Sequence, residues 1–159
     1  MIFVTIGSMF PFDRMIRAMD GWAAANPGTE LLAQTGDGAY EPARMPWVRR
    51  LDQAAFARTV AGARLVVAHA GMGSVITADQ FGKPIVILPR LRERGEHTTD
   101  HQLATAAWLR GKPGIHVADR DEDLGPRIAE ALAGEALGPR FAPAASPEFL
   151  DRIRQYILS

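Results

Sequence analysis

The stretch RLVVAHAGMGSVITADQFGKPIVILP, residues 64–89, contains two short apolar runs separated by a glycine-rich turn and a helical segment. The runs at 64–68 and 85–89 have the length and composition of buried β-strands. The turn HAGMGS, residues 69–74, follows the first strand, and a helix is predicted over about 73–81, ending at Gly82-Lys83-Pro84. Apolar strands that alternate with helices are typical of a parallel sheet covered on both faces.

The same alternation extends over the rest of the chain. Four more strands are predicted at 2–6, 30–35, 47–51 and 114–118. Five more helices are predicted at 11–26, 53–61 (with Asp52 as N-cap), 100–110, 122–134 and 147–159. We therefore predict a single doubly wound, Rossmann-like α/β domain over residues 1–135. Residues 136–159 are expected to form an irregular segment followed by a C-terminal amphipathic helix.

Composition excludes several classes of protein. The 159 residues include 18 basic and 18 acidic side chains and no cysteine. A balanced charge gives no general attraction to nucleic acid, and the lack of cysteine excludes a disulfide scaffold, a zinc ribbon and thiol catalysis. No stretch approaches the roughly 18 apolar residues of a spanning helix, and the N-terminus is not a signal peptide. The sequence therefore predicts a cytoplasmic globular protein.

Three loops with unusual residues follow strands that should end at the same edge of the sheet. They are TIGSMFPFD (5–13), HAGMGS (69–74) and PRLRERGEHTTDHQ (89–102). Ligands of open α/β sheets bind at this edge, where the strand order switches. The convergence of the three loops is the main functional signal in the sequence.

The residues of HAGMGS admit two interpretations. Gly71 and Gly73 would let a diphosphate approach the backbone at the start of a helix, where unpaired N–H groups carry partial positive charge, and Ser74 can add a hydroxyl donor. The alternative is that both glycines only make the turn tight. His69 can donate to a phosphate oxygen or be a neutral histidine at a strand end.

A metal site and an ordinary helix start are both compatible with GEHTTDHQ. His97 and His101, four residues apart on a helix, can hold a metal ion with Glu96 nearby, as in a hydrolase, although HExxH is absent. Alternatively, Asp100 caps the helix and His101 is solvated. Binding of a metal is the less favoured interpretation, and we predict no metal.

With these loops in order, the sequence resembles the C-terminal, nucleotide-sugar-binding half of glycosyltransferase family 28, which has the GT-B fold. The resemblance rests on VTIGSMFPFDRMI, VVAHAGMGSVITADQFGKPIVILPR and GEHTTDHQLATA, between residue 2 and about 110. Within the family, the closer likeness is to small stand-alone subunits: those of two-component bacterial exopolysaccharide glycosyltransferases and the catalytic subunit of the eukaryotic dolichol-linked N-acetylglucosaminyltransferase.

The resemblance implies roles for individual residues. Six would bind the donor diphosphate: Gly7, Ser8, His69, Gly71, Gly73 and Ser74. Three match the motif that reads the donor sugar: Asp100, His101 and Gln102. Arg90, Arg92 and Arg94 can contact a uronate or a lipid pyrophosphate, or can be solvated loop charges.

One position departs from the family pattern. Relatives usually place a glutamate on the ribose hydroxyls where this chain has Thr77. A threonine can make one hydrogen bond but not the bidentate contact of a carboxylate. Asp79 would lie about 200° around the helix from Thr77, at about 100° per residue. Recognition of the ribose is therefore expected to be weak.

The resemblance also implies a mechanism and a partner. The expected activity is inverting, metal-independent hexosyl transfer from a UDP-sugar substrate to a lipid-linked or polysaccharide acceptor, without a cofactor. The first strand begins at residue 2, so we expect a membrane-anchored partner subunit to supply the acceptor site and the general base, holding the chain at the inner face of the membrane. The helix at 147–157 can dock on that partner or pack on its own domain, and the chain can self-associate when alone. The alternative function is a non-catalytic nucleotide-sugar-binding or regulatory module.

Overall fold

The computed structural model describes residues 1–134 and 147–158. Six strands form one sheet: β1 (Ile2–Thr5), β2 (Leu31–Gln34), β3 (Trp47–Val48), β4 (Leu65–His69), β5 (Ile85–Leu88) and β6 (Ile115–Val117). The helices are α1 (Asp13–Ala25), α2 (Gln53–Gly62), α3 (Met72–Gln80), α4 (His101–Leu109), α5 (Leu124–Ala133) and α6 (Pro147–Leu158). The predicted α/β organisation is confirmed, with each element within a few residues of its expected position.

The sheet is parallel throughout and has the strand order β3-β2-β1-β4-β5-β6. This order is that of a doubly wound fold, in which the chain reverses direction across the sheet between β1 and β4. The carboxyl ends of β1 and β4 are therefore adjacent, because Thr5 pairs with Ala68. The fold places the first two predicted loops next to each other.

Alternate residues of the strands face two separate apolar layers. Ile2 and Val4 of β1 pack with the apolar side chains of α1 and α5, among them Met15, Ile16 and Ile128. Phe3 of the same strand points the other way and packs with residues of the opposite face, including Val60, Val75 and Leu109. Both faces of each central strand are therefore buried, which explains why these strands are continuous apolar runs.

Local signals account for the ends of the helices. Asp52 caps α2 as predicted, because its Oδ1 accepts the Ala55 N–H at 2.7 Å. α1 ends at Ala25, and Asn26 follows as its C-cap just before Pro27. The predicted irregular segment at 136–146 lies outside the described residues.

None of the helices in the described ranges has the length and apolar character needed to cross a bilayer.

Candidate active site

The three predicted loops surround one cavity of about 490 Å³ at the carboxyl ends of β1, β4 and β5. The first two loops contribute all six predicted diphosphate-binding residues to its wall: Gly7, Ser8, His69, Gly71, Gly73 and Ser74. Thr77, Arg90, His101 and Gln102 also line the cavity. Arg92, Arg94 and Asp100 are exposed and lie outside this lining.

Gly7 and Gly71 give room to the ring of His69. A Cβ added to Gly71 would lie 2.1 Å from His69 Nε2, and one added to Gly7 would lie 2.5 Å from Cε1. Gly71 has an ordinary extended conformation (φ −100°, ψ 133°), whereas Gly7 has a φ of 75°. A tight turn therefore does not explain the glycine at 71. Glycine is required at 71 because any side chain there would clash with the imidazole of His69.

His69 is neutral at physiological pH in this structure. Burial of the ring, with smaller effects of Arg90 and His97, lowers its pKa to about 4, while the Thr5 backbone acts in the opposite direction. Its Nδ1 is buried and has no hydrogen-bond partner. Among the described residues, no other buried side-chain nitrogen or oxygen lacks a partner. A buried polar atom without a partner is costly and marks a place where a ligand or a proton can be accommodated.

The first turn of α3 lies at the cavity wall and begins with backbone N–H groups that precede the first intrahelical bond. The first intrahelical bond is from Val75 N–H to Gly71 O at 3.3 Å, so the N–H groups of Met72, Gly73 and Ser74 precede it. Gly73 has a helical conformation and no heavy atom within 4 Å of the place of a Cβ. The missing side chain at 73 therefore leaves open space at a helix N-terminus, which suits an anion.

Thr77 and Asp79 have the orientations expected from the helical wheel. Thr77 lines the cavity and donates its hydroxyl to Gly73 O at 2.9 Å, which leaves the oxygen lone pairs as acceptors. Asp79 is buried and lies outside the cavity lining. The carboxylate at 79 is therefore not in a position to replace the missing glutamate at 77.

Arg90 is a buried residue that ties two of the loops together. The side chain is 2% exposed, and its guanidinium donates to Ile6 O and Pro11 O at 2.6 Å each and to Glu96 O at 3.2 Å. Burial lowers its pKa to about 10, against the opposing effect of Glu96. Arg90 is thus neither a solvated loop charge nor a cation that extends freely toward a ligand. The burial of Arg90 was not predicted from the sequence, although its position just after the most apolar strand could have indicated this.

The hydrolase interpretation of Glu96 is wrong. The Glu96 carboxylate makes a bidentate pair with Arg14 (2.7 and 2.9 Å) and also accepts the Leu91 N–H at 2.9 Å. Both side chains of the pair are at most 10% exposed. The described residues contain no group of three or more His, Asp or Glu side chains able to hold a metal ion. Glu96 therefore anchors the third loop to α1.

The two histidines of GEHTTDHQ are close, but not because they share a helix. α4 begins only at His101, so His97 lies in the preceding loop. The two rings meet edge to face with centroids 4.5 Å apart. Asp100 occupies the N-cap position of α4, yet its side chain makes no cap bond and accepts the Arg92 N–H at 3.1 Å instead. The shared helix was a wrong prediction, whereas Asp100 has the predicted N-cap position and His101 is exposed as predicted, but the side-chain cap bond is missing.

Gln102 is buried at the cavity wall with its orientation determined by the third loop. Its Oε1 accepts the Arg90 N–H at 3.1 Å, and the side chain is 3% exposed. The amide nitrogen is therefore the group that can donate to a sugar hydroxyl in the cavity.

Sequence reasoning missed the wall that comes from β2 and α2. Gln34, Leu51, Gln53 and Phe56 line the cavity opposite the third loop. Gln34 accepts the Thr5 hydroxyl at 2.9 Å, and Thr5 Oγ1 in turn accepts the Gly7 N–H at 3.2 Å. These residues carry no motif, although Gln34 ends the second strand and the other three follow the third, which could have placed them at this edge.

The family model described as the glycosyltransferase family 28 C-terminal domain matches residues 1–130. The chain belongs to this family. A search of curated proteins found no match to the chain.

Solved structures similar to this family 28 domain include several glycosyltransferases. The glycotransferase of kitacinnamycin has a TM-score of 0.64 and 19% identity, over 84% of this chain and 35% of its own. The calicheamicin glycosyltransferase CalG4 has a TM-score of 0.59 and 23% identity, over 99% and 39%. SnogD from Streptomyces nogalater has a TM-score of 0.57 and 19% identity, over 99% and 39%.

These similarities show the fold. The family 28 domain matches one Rossmann-like half of a GT-B glycosyltransferase and spans well under half the length of those enzymes. Family membership fits the binding of a nucleotide-sugar donor. For such a donor the cavity offers the N-terminus of α3 and the side chain of Gln102.

Proposed function

We propose that the chain is the donor-binding, catalytic half of a glycosyltransferase that takes its sugar from a UDP-sugar. The observation that carries this proposal is the start of α3, where Gly73 leaves open space beside N–H groups that precede the first intrahelical bond. His69 lies beside this helix end, and the Gln102 amide lies on the same cavity. A diphosphate on α3 and a sugar near Gln102 would use both features.

In this proposal the reaction is metal-independent inversion. The acceptor hydroxyl attacks the anomeric carbon, the bond from that carbon to the diphosphate oxygen breaks, and the leaving UDP carries away the electron pair. The α3 N–H groups would stabilise the charge that develops on this oxygen, and removal of one such donor typically costs about 10²–10³-fold in rate. The reaction needs no cofactor.

The general base is proposed to come from the acceptor half. No aspartate or glutamate is among the described residues that line the cavity. We propose that a membrane-anchored partner subunit provides this half together with the lipid-linked or polysaccharide acceptor, and that it holds the chain at the inner face of the membrane. Ile153 and Ile157 of α6 are exposed and would face the partner, or another copy of the isolated chain, in this proposal.

The first experiment is calorimetric titration of the purified chain with UDP, ADP and GDP. We expect saturable binding of UDP, weakened at least tenfold in His69→Ala. His116→Ala is the matched control, because His116 lies on β6 beside Glu130 and not on the cavity. Equal binding of all nucleotides, or equal loss in both variants, would contradict the proposed site.

A non-catalytic nucleotide-sugar-binding or regulatory module is the second candidate. It is favoured by Thr77, whose hydroxyl hydrogen is used within α3, and by the lack of a carboxylate among the described lining residues. The two candidates differ in one assay: addition of the acceptor half should produce sugar transfer only if the chain is catalytic.

A further inference from the structure

Three of the four histidines line the same cavity. His69 lies at the end of β4, His97 in the third loop and His101 at the start of α4. The ring of His97 contacts His101, with centroids 4.5 Å apart, and Phe10, with centroids 5.0 Å apart. The fourth histidine, His116, is 3.7 Å from Glu130 and away from the cavity.

The charges around these rings are mainly positive. Arg90 lies near both His69 and His97 and lowers the pKa of each, after the larger effect of burial. The two carboxylates of the third loop are engaged elsewhere, Glu96 with Arg14 and Asp100 with the Arg92 N–H. Protonation of His69 or His97 therefore adds a positive charge that no lining carboxylate in the described residues neutralises.

The tautomer of His97 makes it a fixed donor. Its Nδ1 accepts the Thr99 N–H at 3.2 Å, so the neutral ring carries its proton on Nε2. Protonation of Nδ1 would place its N–H against the Thr99 N–H and leave only the Thr98 and Thr99 hydroxyl oxygens, each 3.5 Å away, as acceptors. His97 is therefore poorly suited to gain a proton, even when a negative ligand is close.

His69 differs from His97 in this respect. Its Nδ1 accepts no hydrogen bond that protonation would break, and the Thr5 backbone lies close enough to the ring to favour its charged form. Gly7 and Gly71 lie so close to the ring that a side chain at either position would clash with it. A diphosphate at the start of α3 would place negative charge beside this ring and reverse the electrostatic balance that keeps it neutral.

We infer that binding of the donor diphosphate protonates His69, so that the cavity takes up one proton from solution and holds the diphosphate with an imidazolium. This inference rests on the proposed function. Neutral His97 would contribute its Nε2–H, and His69 would contribute charge as well as a hydrogen bond. Because binding raises the pKa of His69, the affinity for the diphosphate must increase as the pH falls. The part of the affinity that comes from protonation is lost as the pH rises through the pKa of His69 in the bound state.

The test is calorimetry in two buffers that differ in ionisation enthalpy, which reports the number of protons taken up. The probe is UDP-glucose, whose diphosphate is esterified at both ends and does not titrate near neutral pH; UDP-N-acetylglucosamine, which has the same diester, replaces it if the glucose ring is rejected. At about pH 6 we expect an uptake approaching one proton and an affinity that increases up to about tenfold per pH unit lowered. His69→Gln keeps an amide N–H near the place of Nε2 and should remove the uptake. His97→Gln should weaken binding but keep the uptake per bound ligand, and His116→Gln, away from the cavity, should change neither.

A second measurement does not depend on the variants. The ring C–H signals of four histidines can be followed by NMR, and the His69 midpoint should move from about 4 to above neutrality on saturation with the probe. Binding without proton uptake, or uptake that persists in His69→Gln and disappears in His97→Gln, would overturn the inference and leave the proposed function in place. Failure of any nucleotide to bind would overturn the proposed function, and this inference with it.

Discussion

The substitution Gly73→Ala separates the stability of α3 from its capacity to bind a diphosphate. Gly73 is in the first turn of the helix, and no heavy atom lies within 4 Å of the place where its Cβ would be. Gly21 in α1 has the same open surroundings and is exposed, but it does not line the cavity. Gly21→Ala is therefore a matched control for the effect of an added methyl group on a helix.

Both substitutions should stabilise the protein slightly. Alanine is favoured over glycine within a helix by about 0.5–1 kcal/mol, and the gain at Gly73 should be near the lower limit because the first turn is less constrained. For a chain of this length, about 1 kcal/mol corresponds to an increase in Tm of about 2–4 °C. An unchanged or slightly raised Tm in both variants would establish that neither methyl group disturbs the fold.

Only the Gly73 variant should bind the nucleotide more weakly. The methyl group would occupy the space through which a phosphate oxygen reaches the N–H groups of the first turn. Loss of one hydrogen bond to a charged group costs about 1.5–3 kcal/mol, which is about 10- to 150-fold in Kd. Calorimetry with UDP on the two variants measures this difference. An unchanged Kd in Gly73→Ala would refute the position of the diphosphate at the start of α3.

Three further predictions test other parts of the site and the fold. Thr77→Glu supplies a carboxylate for the ribose and should tighten UDP binding by about tenfold; Ile76→Glu on the outer face should not, and equal effects would contradict this. Glu96→Gln breaks a largely buried ion pair and should lower the free energy of unfolding in urea by about 3 kcal/mol. A loss as small as that from Asp37→Asn, which breaks an exposed pair, would contradict the anchoring role. Burial raises the pKa of Asp20, but hydrogen bonds to its carboxylate outweigh this and lower it overall, so stability should fall as the pH falls below about 4, and Asp20→Asn should flatten that dependence in thermal scans.

Much of the fold was predictable because the strands are buried on both faces. Each strand is then a short apolar run, and glycine, proline or asparagine mark its ends. The helix predicted at about 73–81 was found at Met72–Gln80, for example. Strand order followed less directly, since no local signal in Leu31–Gln34 says that β2 pairs with β1 and β3.

Residues of the site were predictable as types but not as contacts. Glycine and histidine after an apolar strand indicated an anion cradle, yet the sequence did not indicate that Gly7 and Gly71 would enclose the His69 ring. The pairing of Arg14 with Glu96 joins residues 82 positions apart, and no local pattern records such a contact. The four-residue spacing of His97 and His101 was misleading because α4 begins only at His101.

The buried guanidinium of Arg90 has a consequence for engineering of donor specificity. It holds carbonyl groups at both ends of the first loop, Ile6 and Pro11, and one in the third loop, Glu96. A chimera that exchanges the third loop alone would replace this arginine along with the loop and leave the first-loop carbonyl groups of Ile6 and Pro11 against a foreign residue. The two loops are therefore one module, and a graft of new sugar preference should transfer residues 6–12 and 90–102 together.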